Sequence, residues 1–362
     1  MRVAMGRVWI RSLCIATLSI TSALIVVACE KKPKVVQQAP PEEQETSIAS
    51  SPDATPAVLR GNASPTPKAT PAPPQRHVAV STKPPPAELW REVSGRRALD
   101  TAGKFVALGP RPAGSAALDA ERRLLTSDLE SSAWEVESDP FEAASPTGLI
   151  PAVNLIARFS ADGARPVPRV PYSILIIAAY DTRAFSNIRF VGANDGASGP
   201  AILLELARVL SLNPRIAEKI ELLLADASEP RQQFSPTDGV AGSRHYLERT
   251  DPKSLSRVLV LGGVGANGES LTVSPDTAAD VWQEATLGCA RVGQPTLLRK
   301  LDRYVWGDHV PFAELGISSL YLGNHEYLAR YTADDRIENL SATTLEKVGQ
   351  FATWLVAHWA QH

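Results

Sequence analysis

The sequence is poor in cysteine, in aromatic side chains and in clustered positive charge, and each shortage excludes a class of explanation. Of its 362 residues only three are cysteine, Cys14, Cys29 and Cys289. Processing at Cys29, argued below, would leave Cys289 as the one free thiol, so no internal disulfide is expected and a hydrophobic core must carry the stability. The formal net charge is −2 and no basic run is longer than a pair such as Lys31-Lys32. That excludes the electrostatic footprint of a nucleic-acid binder. The apolar stretch from Leu13 to Ala28 is short for the ~20 residues of a membrane-spanning helix.

That stretch has a more specific reading. Arg2, Arg7 and Arg11 precede it and Val26-Val27-Ala28-Cys29 closes it. A charged start, an apolar centre and small residues before a cysteine resemble a lipoprotein signal peptide over residues 1–29, with Cys29 as the lipidated residue; an uncleaved anchor is the alternative. Two acyl attachments at Cys29 supply the two anchors that stable membrane association needs. The expected location is the cell envelope: the periplasmic side of the outer membrane, or the cell surface. Residues 30–87 follow, rich in Pro, Ala, Ser and Thr, with Pro40-Pro41, Pro73-Pro74 and Pro84-Pro85-Pro86. Such a segment buries too little apolar surface to offset its ordering entropy, and it reads as a disordered tether.

Folded patterning occupies residues 88–362. Helical spacing is clear over 116–129, 200–212 and 343–359, where Leu345, Val348, Phe351, Leu355 and His358 share a face. Between the helices lie apolar, β-branched runs at 153–159, 172–179, 219–225, 258–261 and 318–322. Continuous apolar strands alternating with helices predict an α/β fold: a mixed, mostly parallel central sheet flanked by helices in a three-layer sandwich. In such sheets the ligand site lies beyond the carboxyl ends of the strands. Those ends carry Tyr180-Asp181, Asp226-Ala227-Ser228-Glu229 and Gly323-Asn324-His325, and Asp195 opens a Gly-rich turn before a helix. Acids converging there repel unless a cation, a proton or a helix N-terminus compensates.

The stretch from Phe190 through Asn194-Asp195-Gly196-Ala197-Ser198-Gly199 strongly resembles the metal-ligand segment of glutaminyl-peptide cyclotransferases and their zinc aminopeptidase relatives. Further words follow in the family's order: Gly109-Pro110-Arg111-Pro112-Ala113-Gly114-Ser115, Gly242-Ser243-Arg244-His245, Asp308-His309-Val310-Pro311-Phe312, and Thr332-Ala333-Asp334-Asp335 with Glu338-Asn339-Leu340. The resemblance implies one zinc held by an aspartate, a second acid and a histidine, beside a glutamate that moves protons while an N-terminal glutamine closes on itself and expels ammonia.

Carried over residue by residue, the aspartate is Asp195 and the acidic ligand is Glu229. The rest of the set departs. The proton-carrying glutamate is replaced by Ser228, whose hydroxyl has no pKa near neutrality, a loss that typically costs ~10²–10⁴-fold. The histidine ligand is replaced by Tyr331, a phenol of pKa about 10 and a poor zinc ligand while protonated. Ala179 stands where a second metal would need histidine, Gly262 and Gly307 replace two acids of the family's hydrogen-bond network, and Arg330 replaces the aromatic pocket wall. His325 is the candidate substitute ligand, and Asp308 and His309 match residues that orient the family's site.

Three functions remain open at this point. The favoured one is a membrane-tethered, catalytically impaired cyclase-like or peptidase-like domain, a pseudoenzyme, with at most one zinc, held weakly or not at all, and a peptide or protein N-terminus as its partner. The second is a working zinc-dependent glutaminyl cyclase or aminopeptidase using His325. The third is an envelope scaffold that only contacts other proteins.

Overall fold

Strands that are apolar on both faces need cover on both sides, and the chain supplies it with helices of unequal number. The computed structural model describes residues 87–160, 172–268 and 270–362. The expected signal peptide, residues 1–29, and all but the last residue of the expected tether, residues 30–87, lie outside the described residues. Among the described residues no helix is long and apolar enough to cross a membrane.

The strands are β1 (Trp134–Ser145), β2 (Gly148–Phe159), β3 (Ile174–Ala179), β4 (Ile220–Ala225), β5 (Arg257–Leu261), β6 (Leu271–Val273), β7 (Leu298–Lys300) and β8 (Ser319–Leu322). Six of them form one sheet in the order β1-β2-β4-β3-β5-β8, and β6 pairs with β7 alone. The β4, β3, β5 and β8 set is parallel, whereas β2 runs antiparallel to both β1 and β4. The expected mixed, mostly parallel sheet is therefore present. The β1 strand was not anticipated. Its charged positions Glu135, Glu137, Asp139 and Glu142 interrupt the apolar pattern, and its exposed face, as suits an edge strand, is Ser138, Pro140, Glu142 and Ala144.

The helices are α1 (Gly95–Ala107), α2 (Ala116–Ser131), α3 (Gly199–Leu210), α4 (Pro214–Ala217), α5 (Ala241–Glu248), α6 (Ala279–Arg291), α7 (Val310–Glu314) and α8 (Ala342–Trp359). Three begin on serine caps: Ser94, Ser115 and Ser341 accept the backbone N–H of Arg97, Leu118 and Thr344. Along β3, Ile174, Ile176 and Ala178 enter the larger core with α1, α2, α3, α6 and α8, while Leu175 and Ile177 enter a smaller one with Tyr246 of α5 and Phe312 of α7. The period-two alternation thus divides one strand between two cores and fixes the three layers. On α8, Leu345, Val348, Phe351 and Leu355 are fully buried, and His358 stacks on Trp354 at the edge of the same face.

A buried ion pair ties the helical layer to the loop that approaches the strand ends. Arg111 is wholly buried; its Nη1 donates to the carbonyls of Gly109 and Val191, both at 2.8 Å, and its Nε lies 2.5 Å from Glu121 of α2. Burial outweighs the arginine and raises the Glu121 carboxyl from 4.5 to about 7. The folded protein therefore holds this proton more tightly than the unfolded chain, so the contribution to stability is full below about 4.5 and is lost as pH rises to about 7. In Glu121→Gln, urea unfolding at pH 5 and pH 7.5 is expected to lose less stability over that interval than wild type, by up to about 3 kcal/mol.

Candidate functional site

Four parallel strands end at one edge of the sheet, and the acids singled out from the sequence meet there. Asp181 follows β3 and is buried; it accepts the backbone N–H of Ser228 at 3.0 Å and of Glu229 at 3.1 Å. Asp195 sits in an irregular turn, Ala193–Ser198, with φ −98° and ψ 86°, outside helical values. The turn depends on Gly196, whose φ is +123° and whose Cβ would lie 2.9 Å from Thr182 and 3.0 Å from the Asp181 carbonyl. Asp335 fixes the turn by accepting the N–H of Asn194 at 2.8 Å and of Asp195 at 3.0 Å. Its carboxyl is raised to about 7 by burial, against those two bonds.

The departures from the family pattern do not leave gaps. Arg330 donates from Nε to Asp195 Oδ2 at 3.1 Å and from Nη2 to the Tyr331 hydroxyl at 3.0 Å, and that hydroxyl donates to Glu229 Oε2 at 2.9 Å. Asp195, Arg330, Tyr331 and Glu229 form one chain of hydrogen bonds. Burial and the neighbouring Glu229 and Asp195 carboxylates push the Tyr331 phenol well above its ordinary value, so it stays protonated. Burial and Asp195 likewise push Glu229 up to about 8, opposed by Arg330.

Ser228, at the position of the family's proton carrier, donates its hydroxyl to Asp308 Oδ1 at 2.9 Å, and Ser243 does so at 2.6 Å. The Asp308 carboxyl is raised by burial. His309 stacks on Tyr321 with ring centroids 4.9 Å apart, and burial lowers its pKa to about 4. Asp308 is thus held by two serine hydroxyls, and His309 lies against Tyr321.

His325, the candidate substitute ligand, has its Nδ1 2.8 Å from the Thr272 hydroxyl of β6 and packs its ring edge-on against Tyr321, lining a small cavity with Asp195 and Arg330. Burial, Arg330 and His309 lower its pKa to about 3, so it is neutral there.

Tyr321 on β8 was missed by sequence reading. Its ring covers both glycines that replace family acids: a Cβ on Gly262 would lie 2.7 Å from Tyr321 Cε2, and one on Gly307 would collide with Cε1. Two adjacent losses of side chain were the available signal that something larger enters. Tyr321, with Asp181, Asp195, Glu229 and Phe234, leaves a cavity of about 20 Å³ at the strand ends. That is room for about one water molecule.

A tetrahedral zinc site takes three or four nitrogen, sulfur or carboxylate donors. Here one oxygen of Asp195 holds a guanidinium, one oxygen of Glu229 holds a phenol, and the third family position is that neutral phenol. Among the described residues no group of three or more His, Cys, Asp or Glu side chains is arranged to hold a metal ion. These residues do not fit zinc.

Residues 154–356 match the family model described as peptidase family M28. The chain belongs to that family. A mouse glutaminyl-peptide cyclotransferase-like protein is 33% identical over 282 residues, covering 69% of this chain and 72% of the relative. Aminopeptidase YwaD of Bacillus subtilis is 31% identical over 197 residues, covering 51% of this chain, which spans only 40% of that relative's length. Among solved structures, a glutaminyl cyclase from an Acidobacteriales bacterium superposes with TM-score 0.66 at 23% identity, over 79% of this chain and 99% of the other. A Zn-dependent exopeptidase from Parabacteroides distasonis gives 0.63 at 20% identity, over 73% of this chain and 98% of the other. At those identities the two structures establish the M28 fold, and nothing finer.

In this M28 domain the Tyr321 ring and the two glycines should be energetically coupled. Gly307→Ala is expected to cost about 1–3 kcal/mol in urea unfolding, as overpacking does. In a Tyr321→Ala background the same substitution should cost at least ~1 kcal/mol less; equal costs would mean that the ring does not press on Gly307.

Proposed function

We infer that this chain is a membrane-tethered, glutaminyl-cyclase-like M28 domain with impaired catalysis. The observation that carries the reading is Ser228. Proton transfer between an attacking amine and a departing ammonia needs a group that titrates near neutrality, and this hydroxyl does not. It is also engaged, since it donates to the buried Asp308. Among the described neighbours, Glu229 is pushed up to about 8 but is tied to Tyr331 and occupies the family's ligand position, and Asp181 receives two backbone N–H groups and is pushed up by burial and by the acids around it.

The space for substrate supports the same reading. A peptide N-terminus, the partner suggested by the family, requires far more than about 20 Å³, and its positive charge meets Arg330 already bonded to Asp195. Binding a peptide end here therefore needs Tyr321 or Arg330 to move. The tether and its lipid rest on the Cys29 signature and the Pro-rich residues 30–87, and they place the domain on an envelope membrane.

The full chain is expected to cyclise an N-terminal glutaminyl peptide at least ~10²-fold more slowly than an M28 cyclase assayed alongside it, by ammonia release. Ser228→Glu alone should restore little, because Tyr331 and Arg330 remain. Turnover in the ordinary enzymatic range of about 1–10³ s⁻¹, abolished by a chelator, would overturn the reading and establish a working zinc enzyme.

A further inference from the structure

A family built around a divalent ion is represented here by a chain whose two surviving carboxylates face a cation of its own. Arg330 is half-buried, with 23% of its side chain exposed, and Asp195 is 11% exposed at 3.1 Å from it. The guanidinium is positioned by more than this ion pair. It lies 4.6 Å from the centroid of the Tyr331 ring, and the guanidinium of Arg183 lies 4.8 Å from the same ring. Phe185 and Phe190 pack against that ring, with centroids at 6.2 and 6.0 Å. The backbone contributes too: Tyr331 has φ +59°, a value uncommon for a non-glycine residue, and with it two consecutive side chains engage the two acids.

We propose that the Arg330 guanidinium is the resident cation of this site, holding by hydrogen bonds the place that zinc takes in metal-dependent members of the family, and thereby keeping divalent ions out. The charge requirement is the same in both cases: partly desolvated carboxylates crowded at strand ends need a positive partner. A guanidinium meets it with directed N–H donors and without a metal's demand for three further ligands. Tyr331 completes the arrangement by passing the second Arg330 donor on to Glu229 as a phenolic hydrogen bond. This deepens the reading of an impaired site, yet it concerns the cation and not turnover, so the two fail separately: a zinc-free chain that turned over substrate would sink the first and leave the second standing.

The test compares the full chain with variants by elemental analysis after gel filtration from Zn²⁺-containing buffer, and by thermal melting with and without Zn²⁺. Wild type should carry well under one zinc per chain and melt at one temperature in Zn²⁺ and in chelator. The double variant Arg330→Phe with Tyr331→His should take up about one zinc and become chelator-sensitive; histidine tolerates the positive φ at position 331. Stoichiometric zinc in wild type, lost in Asp195→Asn, overturns the proposal, and so does a folded double variant that takes up none. A second comparison does not depend on that variant folding. Arg330→Met keeps most of the apolar stem without the charge and should lower Tm by roughly 5–10 °C, whereas Arg330→Lys should retain most of the wild-type value. A methionine variant that melts at or above wild type would show that the charge is not what this site requires.

Discussion

The structure depends on accommodating carboxylates that its own topology crowds together. Parallel strands β3, β4, β5 and β8 end at one edge, and the segments that follow bring Asp181, Asp195, Glu229 and Asp308 to it, with Asp335 arriving from the loop before α8. Each such group, if ionised in a desolvated place, needs a compensating donor or charge. The fold supplies a different one to each. Asp181 and Asp335 take pairs of backbone N–H groups, Asp308 takes two serine hydroxyls, Glu229 takes a phenol, and Asp195 takes a guanidinium.

Those compensations differ in what they permit chemically. Backbone N–H donors and serine hydroxyls hold a carboxylate still and cannot carry a proton away at neutral pH. A phenol pushed well above its ordinary value by burial and by Glu229 behaves the same way. The edge of the sheet is thus electrostatically settled, and its two carboxyls that titrate nearest neutrality, Glu229 and Asp335, are held by the Tyr331 phenol and by two backbone N–H groups. The settled state is also rigidly built: Arg111, fully buried and paired with Glu121, joins the carbonyl of Gly109, in the loop after α1, to that of Val191, just before the turn that presents Asp195.

Much of this was legible in the sequence, for identifiable reasons. Strands buried on both faces write themselves as continuous apolar runs, so β2, β3, β4, β5 and β8 were visible, and the amphipathic α2, α3 and α8 showed their period. The edge strand β1 was not visible because four of its twelve positions are charged, and β6 and β7 are too short for any pattern. The positions of Asp195, Ser228, Glu229 and Tyr331 followed from the order of family words. What the words could not show was a side chain arriving from elsewhere. Tyr321 comes from β8 to cover Gly262 and Gly307, and no spacing rule links those three residues. Arg330 registered as the loss of an aromatic wall and not as the gain of a cation, because a sequence shows which residue is present but not which carboxylate it reaches. His325 shows the reverse: its position in the chain suggested a ligand, whereas contacts with Thr272 and Tyr321, which no spacing rule reveals, determine where its ring lies.

The substitutions at this edge are coupled, which bears on how the site came to this state. Gly262 and Gly307 without Tyr321 would leave a void over the strand ends, and Tyr321 with acids at those positions would collide with them. Arg330 without Tyr331 would reach Asp195 but leave Glu229 without its hydrogen bond, and histidine at 331 beside Arg330 would set a ligand next to a fixed positive charge. Each pair is tolerable together and costly apart, as expected where one buried partner is removed from a hydrogen-bonded set. A single reversion therefore recovers neither packing nor charge balance.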